Sequence, residues 1–229
     1  METLLSNPSN VIEKEVGSGI VFKKYSDNLL NSPEVLLKRV MDIILSSIFL
    51  LFVGIWLFPL IGLLIKIDSK GPVFYRQLRD GQYNNKFLCL KFRTMTFDPT
   101  ANFEQARKGD PRITKIGAFL RRTSIDELPQ LVNVLIGDMS IVGPRPHAVE
   151  MNQDFERRYR NYNFRHLVKP GITGLAQAKG FRGEIKVDYD MKSRLKLDLF
   201  YIEKWSVGFD VMIIFFTLRD IIFKSENAY

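Results

Sequence analysis

The chain has 229 residues, 46% hydrophobic and 25% charged, a balance that excludes intrinsic disorder and an all-apolar polytopic transporter. One cysteine, Cys89, and two histidines, His147 and His166, exclude a disulfide framework and Cys- or His-rich metal sites, and the chain reads as intracellular. The net charge is +8, but residues 1–37 hold five acids and three bases, so the remainder carries about +10; such a basic body suits nucleic acid, anionic lipid or a phosphorylated substrate.

Residues 1–32 are rich in Ser, Asn and Gly, without periodicity and without the apolar run of a signal peptide. A loosely ordered extension is expected over 1–37. Ile43–Ile65 then forms 23 residues without a charge, about 35 Å as a straight helix against a hydrocarbon core of about 30 Å. Pro59 removes a helix hydrogen bond, and Gly54 and Gly62 weaken the same stretch. The arm up to Phe58 is only about 24 Å long. Lys38 and Arg39 precede the run, and Lys66, Lys70, Arg76 and Arg79 follow it, so the positive-inside rule puts both flanks on the cytoplasmic side. A spanning helix and a re-entrant one that bends near Pro59 both remain open on these grounds.

Beyond the run, Pro72–Gln77 and Lys86–Arg93 read as two strands joined by a polar turn with Gly81, Asn84 and Asn85. Period two places Lys91 and Arg93 on one strand face, either as a functional pair or as a solvated surface. Helices are expected near 114–122, 127–136, 147–161 and 188–204. Pro170-Gly171 suits the centre of a type II turn. Val207–Phe223, apolar apart from Asp210, Arg219 and Asp220, suits a membrane surface or a place in the core.

The densest polar grouping runs from Asp110 to Gln130, where Arg112, Lys115, Arg121 and Arg122 lead into Asp126 and Glu127. Ser124-x-x-Glu127 has the form of a capping box, but Pro129 would then fall where its N–H is needed. A helix starting at Asp126 puts the proline in the first turn, where no donor is required. Two adjacent carboxylates beside four bases suit Mg²⁺ with phosphate, and a carboxylate can also attack phosphorus. Arg145 lies between Pro144 and Pro146 on a stiff loop that suits a phosphate fork. His147 and His166 have surface or capping roles as their default.

Together these stretches resemble the bacterial sugar transferases, small monotopic polyprenyl-phosphate phosphoglycosyl transferases, from about Lys38 to the C-terminus. The resemblance rests on Lys38-Arg39-x-x-Asp42, Gly71-Pro72-Val73-Phe74, Lys91-Phe92-Arg93-Thr94-Met95, Arg121 through Gln130, Gly137 through Pro146, and Lys169 through Gly174. It implies an α+β, mainly helical fold: a re-entrant membrane helix over 38–67 broken at Pro59, and a catalytic domain over 68–229 with a short β-hairpin and interfacial helices. It further implies a site at the cytoplasmic face of the bacterial inner membrane and transfer of a sugar 1-phosphate from a UDP-sugar to undecaprenyl phosphate. On this resemblance Asp126 is the nucleophile that releases UMP, and Glu127 shares a Mg²⁺ with it. Lys91, Arg93, Arg112, Arg121 and Arg145 hold phosphate oxygens or order the site, with Asp210 a looser candidate.

The stretch Gly174–Glu184 and Lys204-Trp205-Ser206 look most like the hexose-1-phosphate transferases that begin exopolysaccharide repeats, which points to glucose first and galactose second. Longer relatives resembled here carry several spans and a soluble domain ahead of the catalytic part, in place of the short extension. Alternatives are a UDP-N-acetylhexosamine donor and an inactive membrane-tethered scaffold that binds anionic lipid; a homo-oligomer stays open. A nucleic-acid binder would lack every helix-turn-helix, zinc-finger or RNP-like signature and leave the apolar run unexplained.

Overall fold

The computed structural model describes residues 33–100, 106–107, 109–183, 185 and 187–223. Most of the extension expected over 1–37 therefore lies outside the described residues. Its last five, 33–37, already belong to a helix. That helix, α1 (Pro33–Phe49), passes through a π-turn at Leu50–Gly54 into α2 (Ile55–Asp68). The whole is 36 residues long and apolar enough to cross a membrane by length and composition. Sequence reasoning placed a break at Pro59, but α2 runs through that residue. The helix instead departs from α geometry one turn earlier, where the Ile55 N–H reaches back to the Leu50 carbonyl. A wider turn next to a proline is a known way to absorb the lost bond and ring clash. The middle of this helix is bare: Phe52 is 73% exposed and Ile55 70%.

Both ends, by contrast, are fastened to one body. At the start, Arg39 donates to the carbonyls of Val134 and Leu135 at 2.6 and 2.7 Å, and Asp42 accepts from Ser140 Oγ and the Ile141 N–H. At the end, Ile61 and Ile65 pack with Phe92 and Leu120, and Asp68 accepts from the Ile116 N–H at 2.9 Å.

The hairpin consists of β1 (Phe74–Asp80) and β2 (Lys86–Phe92), antiparallel with Phe74 opposite Phe92. Its turn takes Tyr83 and Asn84 into positive φ, so β1 runs three residues further than the expected Pro72–Gln77. Helix α3 (Lys115–Arg122) is capped by Thr114, whose Oγ1 accepts from the Gly117 N–H. Helix α4 (Gln130–Ile136) lies along β2, because buried Asn133 accepts from the Leu90 N–H and donates to the Leu88 carbonyl.

A second, parallel pair joins β3 (Ser140–Val142) to β4 (Gly171–Thr173). Gly171 is not at positive φ, so Pro170-Gly171 is no type II turn. The glycine serves close approach instead: a Cβ there would sit 2.1 Å from the Gly143 nitrogen. Helices α5 (Val149–Arg158), α6 (Leu175–Ala178), α7 (Asp188–Lys204) and α8 (Val207–Phe223) complete the described part. The expected helix over 147–161 is shorter because Ala148 is still extended and Tyr159 leaves helical geometry. Helix α8 takes the place in the core expected for it with one face and leaves another open. Asp210, Ile213 and Thr217 are buried, while Val211, Phe215 and Leu218 are exposed. The described residues are thus mainly helical with two small sheets, a mixed α+β fold.

Candidate active site

Asp126 and Glu127 sit on a single 3-10 turn, Ile125–Glu127, between α3 and α4. Ser124 enters it at φ 58° and makes no side-chain cap, so the capping box does not form. Pro129 directly precedes α4, where its missing N–H costs nothing. The helix expected from residue 127 therefore splits into a 3-10 turn and a shorter α-helix. This splayed turn points both carboxylates into a cleft of about 970 Å³ whose walls come from the hairpin, the α3–α4 turn, the Arg145 loop and the segment before α7.

Glu127 is fully engaged. Arg145 forks onto it, Nη1 to Oε2 at 3.0 Å and Nη2 to Oε1 at 2.5 Å, and Lys91 Nζ reaches Oε1 at 2.5 Å. Burial opposes its ionisation, but Arg145 and Lys91 together outweigh burial and hold this carboxyl well below its usual range. Asp126 forms no hydrogen bond with another described residue. Burial, then the Glu127 charge, push its carboxyl up to about 6 against the pull of Lys91, Arg121 and Arg145. The dyad thus holds one carboxylate locked between cations and a second that is free, half-buried and titrates close to neutrality. A carboxylate whose charge is poorly solvated and unpaired is a competent nucleophile and an available metal ligand.

Among the described residues no three Asp, Glu, His or Cys side chains cluster as a metal site. Asp126 and Glu127 form an adjacent donor pair on the cleft wall. That set is small but fits Mg²⁺, which takes one or two carboxylates and fills its shell with phosphate oxygens and water.

The other candidates fall into two groups. Arg121 and Arg112 line the cleft: Arg121 donates from Nε to Thr94 Oγ1 at 2.8 Å, and Arg112 pairs with Asp110 at 2.7 Å. Arg93 also borders the cleft but turns its guanidinium to the end of α2, whereas Asp210 stands apart. Strand β2 ends at Phe92, so Arg93 no longer follows the strand alternation. Its guanidinium donates to the Lys70 and Ser69 carbonyls at 2.5 and 2.7 Å, closing the end of α2. Asp210 is fully buried away from the cleft, where Lys38, Tyr201 and Trp205 all donate to it. Its charge pins α1 to α8. Sequence reasoning passed over Arg182, which lies on the cleft wall; its place between Gly180 and Gly183 in a loop was the available signal. It missed the buried Arg165 entirely.

A family model described as bacterial sugar transferase matches residues 33–224. The UDP-glucose:undecaprenyl-phosphate glucose-1-phosphate transferase of Escherichia coli K12 is 46% identical over 202 residues, 88% of this chain and 43% of that protein. An exopolysaccharide production protein PSS of Rhizobium leguminosarum bv. phaseoli is 44% identical across 81% of this chain and 94% of its own length. The UDP-N-acetylgalactosamine-undecaprenyl-phosphate N-acetylgalactosaminephosphotransferase of Aeromonas hydrophila is 40% identical across 85% of this chain and 46% of itself. The chain spans less than half the length of the Escherichia coli relative, and all three align with the part that carries the dyad. On the match across 33–224 and the extent of these identities, the chain belongs to the bacterial sugar transferase family.

Proposed function

We propose that this chain transfers a hexose 1-phosphate, glucose in the first instance, from a UDP-sugar to undecaprenyl phosphate at the cytoplasmic face of a bacterial inner membrane. The observation that carries the chemistry is the unpaired Asp126 carboxylate beside a Glu127 already neutralised by Lys91 and Arg145. One Asp126 oxygen forms a bond to the β-phosphorus. The bond from that phosphorus to the bridging oxygen breaks, and the oxygen leaves with its electron pair on UMP. An oxygen of the lipid phosphate then attacks the same phosphorus, which frees the aspartate and yields lipid diphosphate-linked sugar. Arg145, Lys91, Arg121 and Arg112 oppose the charge that builds on phosphate oxygens in both steps. Asp126 and Glu127 would hold Mg²⁺, which supplies further charge neutralisation to the diphosphate when bound.

The membrane segment is assigned a re-entrant course. Its support is that both ends of the bare apolar helix are tied to the same body, through Arg39 and Asp42 at one end and Asp68, Ile61 and Ile65 at the other. A segment that crossed the bilayer would part those ends by a full hydrocarbon thickness. The exposed row on α8 lies at the interface. A role in starting exopolysaccharide repeats draws on the Rhizobium relative's name, and a UDP-N-acetylhexosamine donor on the Aeromonas relative's.

The test is UMP release from detergent-solubilised protein with UDP-glucose, UDP-galactose and UDP-N-acetylgalactosamine, with and without undecaprenyl phosphate and Mg²⁺. Release from UDP-glucose that depends on lipid and metal is expected. No release from any donor, or full activity in Asp126→Ala, would overturn the proposal.

A further inference from the structure

The Arg145 fork on Glu127 is only as exact as the loop that carries it. Pro144 and Pro146 have no N–H, so the loop is held largely by its carbonyls. Arg79 Nη1 donates to the Pro146 carbonyl at 2.5 Å, and Arg165 Nη2 donates to the Arg145 carbonyl at 2.7 Å. Arg165 sits on the 3-10 turn Tyr162–Leu167, behind the cleft and 3% exposed.

Every donor direction of Arg165 is committed. Nε and Nη2 reach Asp198 Oδ2 on α7 at 3.3 and 2.8 Å. Nη1 donates to Tyr162 Oη and to His147 Nδ1, each at 2.9 Å. A guanidinium can only donate, so His147 Nδ1 is an acceptor; burial and the surrounding guanidinium charges keep that imidazole neutral. The Tyr162 hydroxyl in turn donates to Asn152 Oδ1, and Asn152 donates to Asp80 on β1. The Arg145–His147 loop and α7 thereby meet directly at this guanidinium, and α5 and β1 join it through Tyr162.

A buried ion pair of this kind contributes little stability compared with well-packed apolar residues of the same size. What it supplies is fixed direction. We propose that Arg165, oriented by the Asp198 carboxylate, is a positioning residue that holds Arg145 on Glu127 without touching substrate. The inference rests on the transfer reading only in taking the Asp126–Glu127 dyad as the reacting pair.

The test uses the full chain in detergent with an Arg165→Met/Asp198→Leu double variant, which removes both charges of the clamp together. Thermal unfolding confirms that it folds, and Asp198→Asn, with a smaller effect, takes its place if it does not. The first readout needs no substrate: the ¹⁵N guanidinium signals of Arg145, identified by their loss in Arg145→Ala. Held on Glu127, the Arg145 N–H protons exchange slowly with water, and freed from the clamp they exchange about tenfold faster. Unchanged Arg145 signals in a folded variant overturn the proposal.

The second readout is UMP release, with kcat falling about tenfold or more and KM for the UDP-sugar changing less. An unchanged kcat in the folded variant also overturns the proposal. Wild-type protein that released no UMP would refute the transfer reading, while the Arg145 guanidinium signals would still decide the clamp.

Discussion

Asp126→Asn should make this protein more stable above neutral pH while abolishing its activity. The aspartate's ordinary value of 3.8 rises to about 6 in the fold, from burial and the Glu127 charge. A carboxyl that binds its proton more tightly in the folded state leaves stability fully present below about pH 4. Stability then declines as pH rises towards 6 and stays low above it. A shift of about two units corresponds to about 3 kcal/mol, the cost of keeping this carboxylate charged at pH 8. The amide keeps the shape and removes the charge. At pH 8 the variant should therefore melt higher by roughly 6–12 °C, and at pH 4 the two proteins should melt together. Thermal unfolding in one detergent at both pH values decides it, with UMP release on the same samples. Equal stability at pH 8, or an equal advantage at pH 4, would refute the assignment of a frustrated charge to Asp126.

Glu127→Gln should lower the acid limb of activity from about 6 towards 4, because it removes the like charge and leaves Lys91 and Arg145 acting on Asp126 alone. A pH profile of UMP release that kept its limb near 6 would contradict the coupling. Gly143→Ala should cost about 3 kcal/mol, since its Cβ would lie 2.3 Å from the Lys169 carbonyl oxygen and force β3 from β4. An unchanged Tm would show that this backbone contact is not as tight as described.

The parts of the site that sequence reasoning reached are those whose chemistry is written locally. Asp126 and Glu127 adjoin each other, Pro129 sets where α4 can begin, and two prolines mark out Arg145; the structure brings Lys91 and Arg145 together on Glu127. What escaped depended on distance or on where an element stops. Lys91 and Arg93 both border the cleft, but β2 ends between them and the Arg93 guanidinium turns to the end of α2. Asp210 reads as an odd acid in an apolar helix until Lys38, 172 residues away, is seen to meet it. Arg165 and Asp198 stand 33 positions apart in stretches with no motif. Proline also misled: the rule that it breaks helices ignores the π-turn upstream that accommodates it.

The turn that carries Asp126 and Glu127 lies within a bridge of seven residues, 123–129, between two differently moored helices. Leu120 of α3 packs against Ile61 and Ile65 at the outgoing end of the apolar segment. The carbonyls of Val134 and Leu135 in α4 are gripped by Arg39 at the incoming end. Any load that spreads or closes those two ends is therefore delivered to the short span that carries Asp126 and Glu127. On the re-entrant course proposed for this segment, lipid chain length and lateral pressure act on the spacing of the dyad itself.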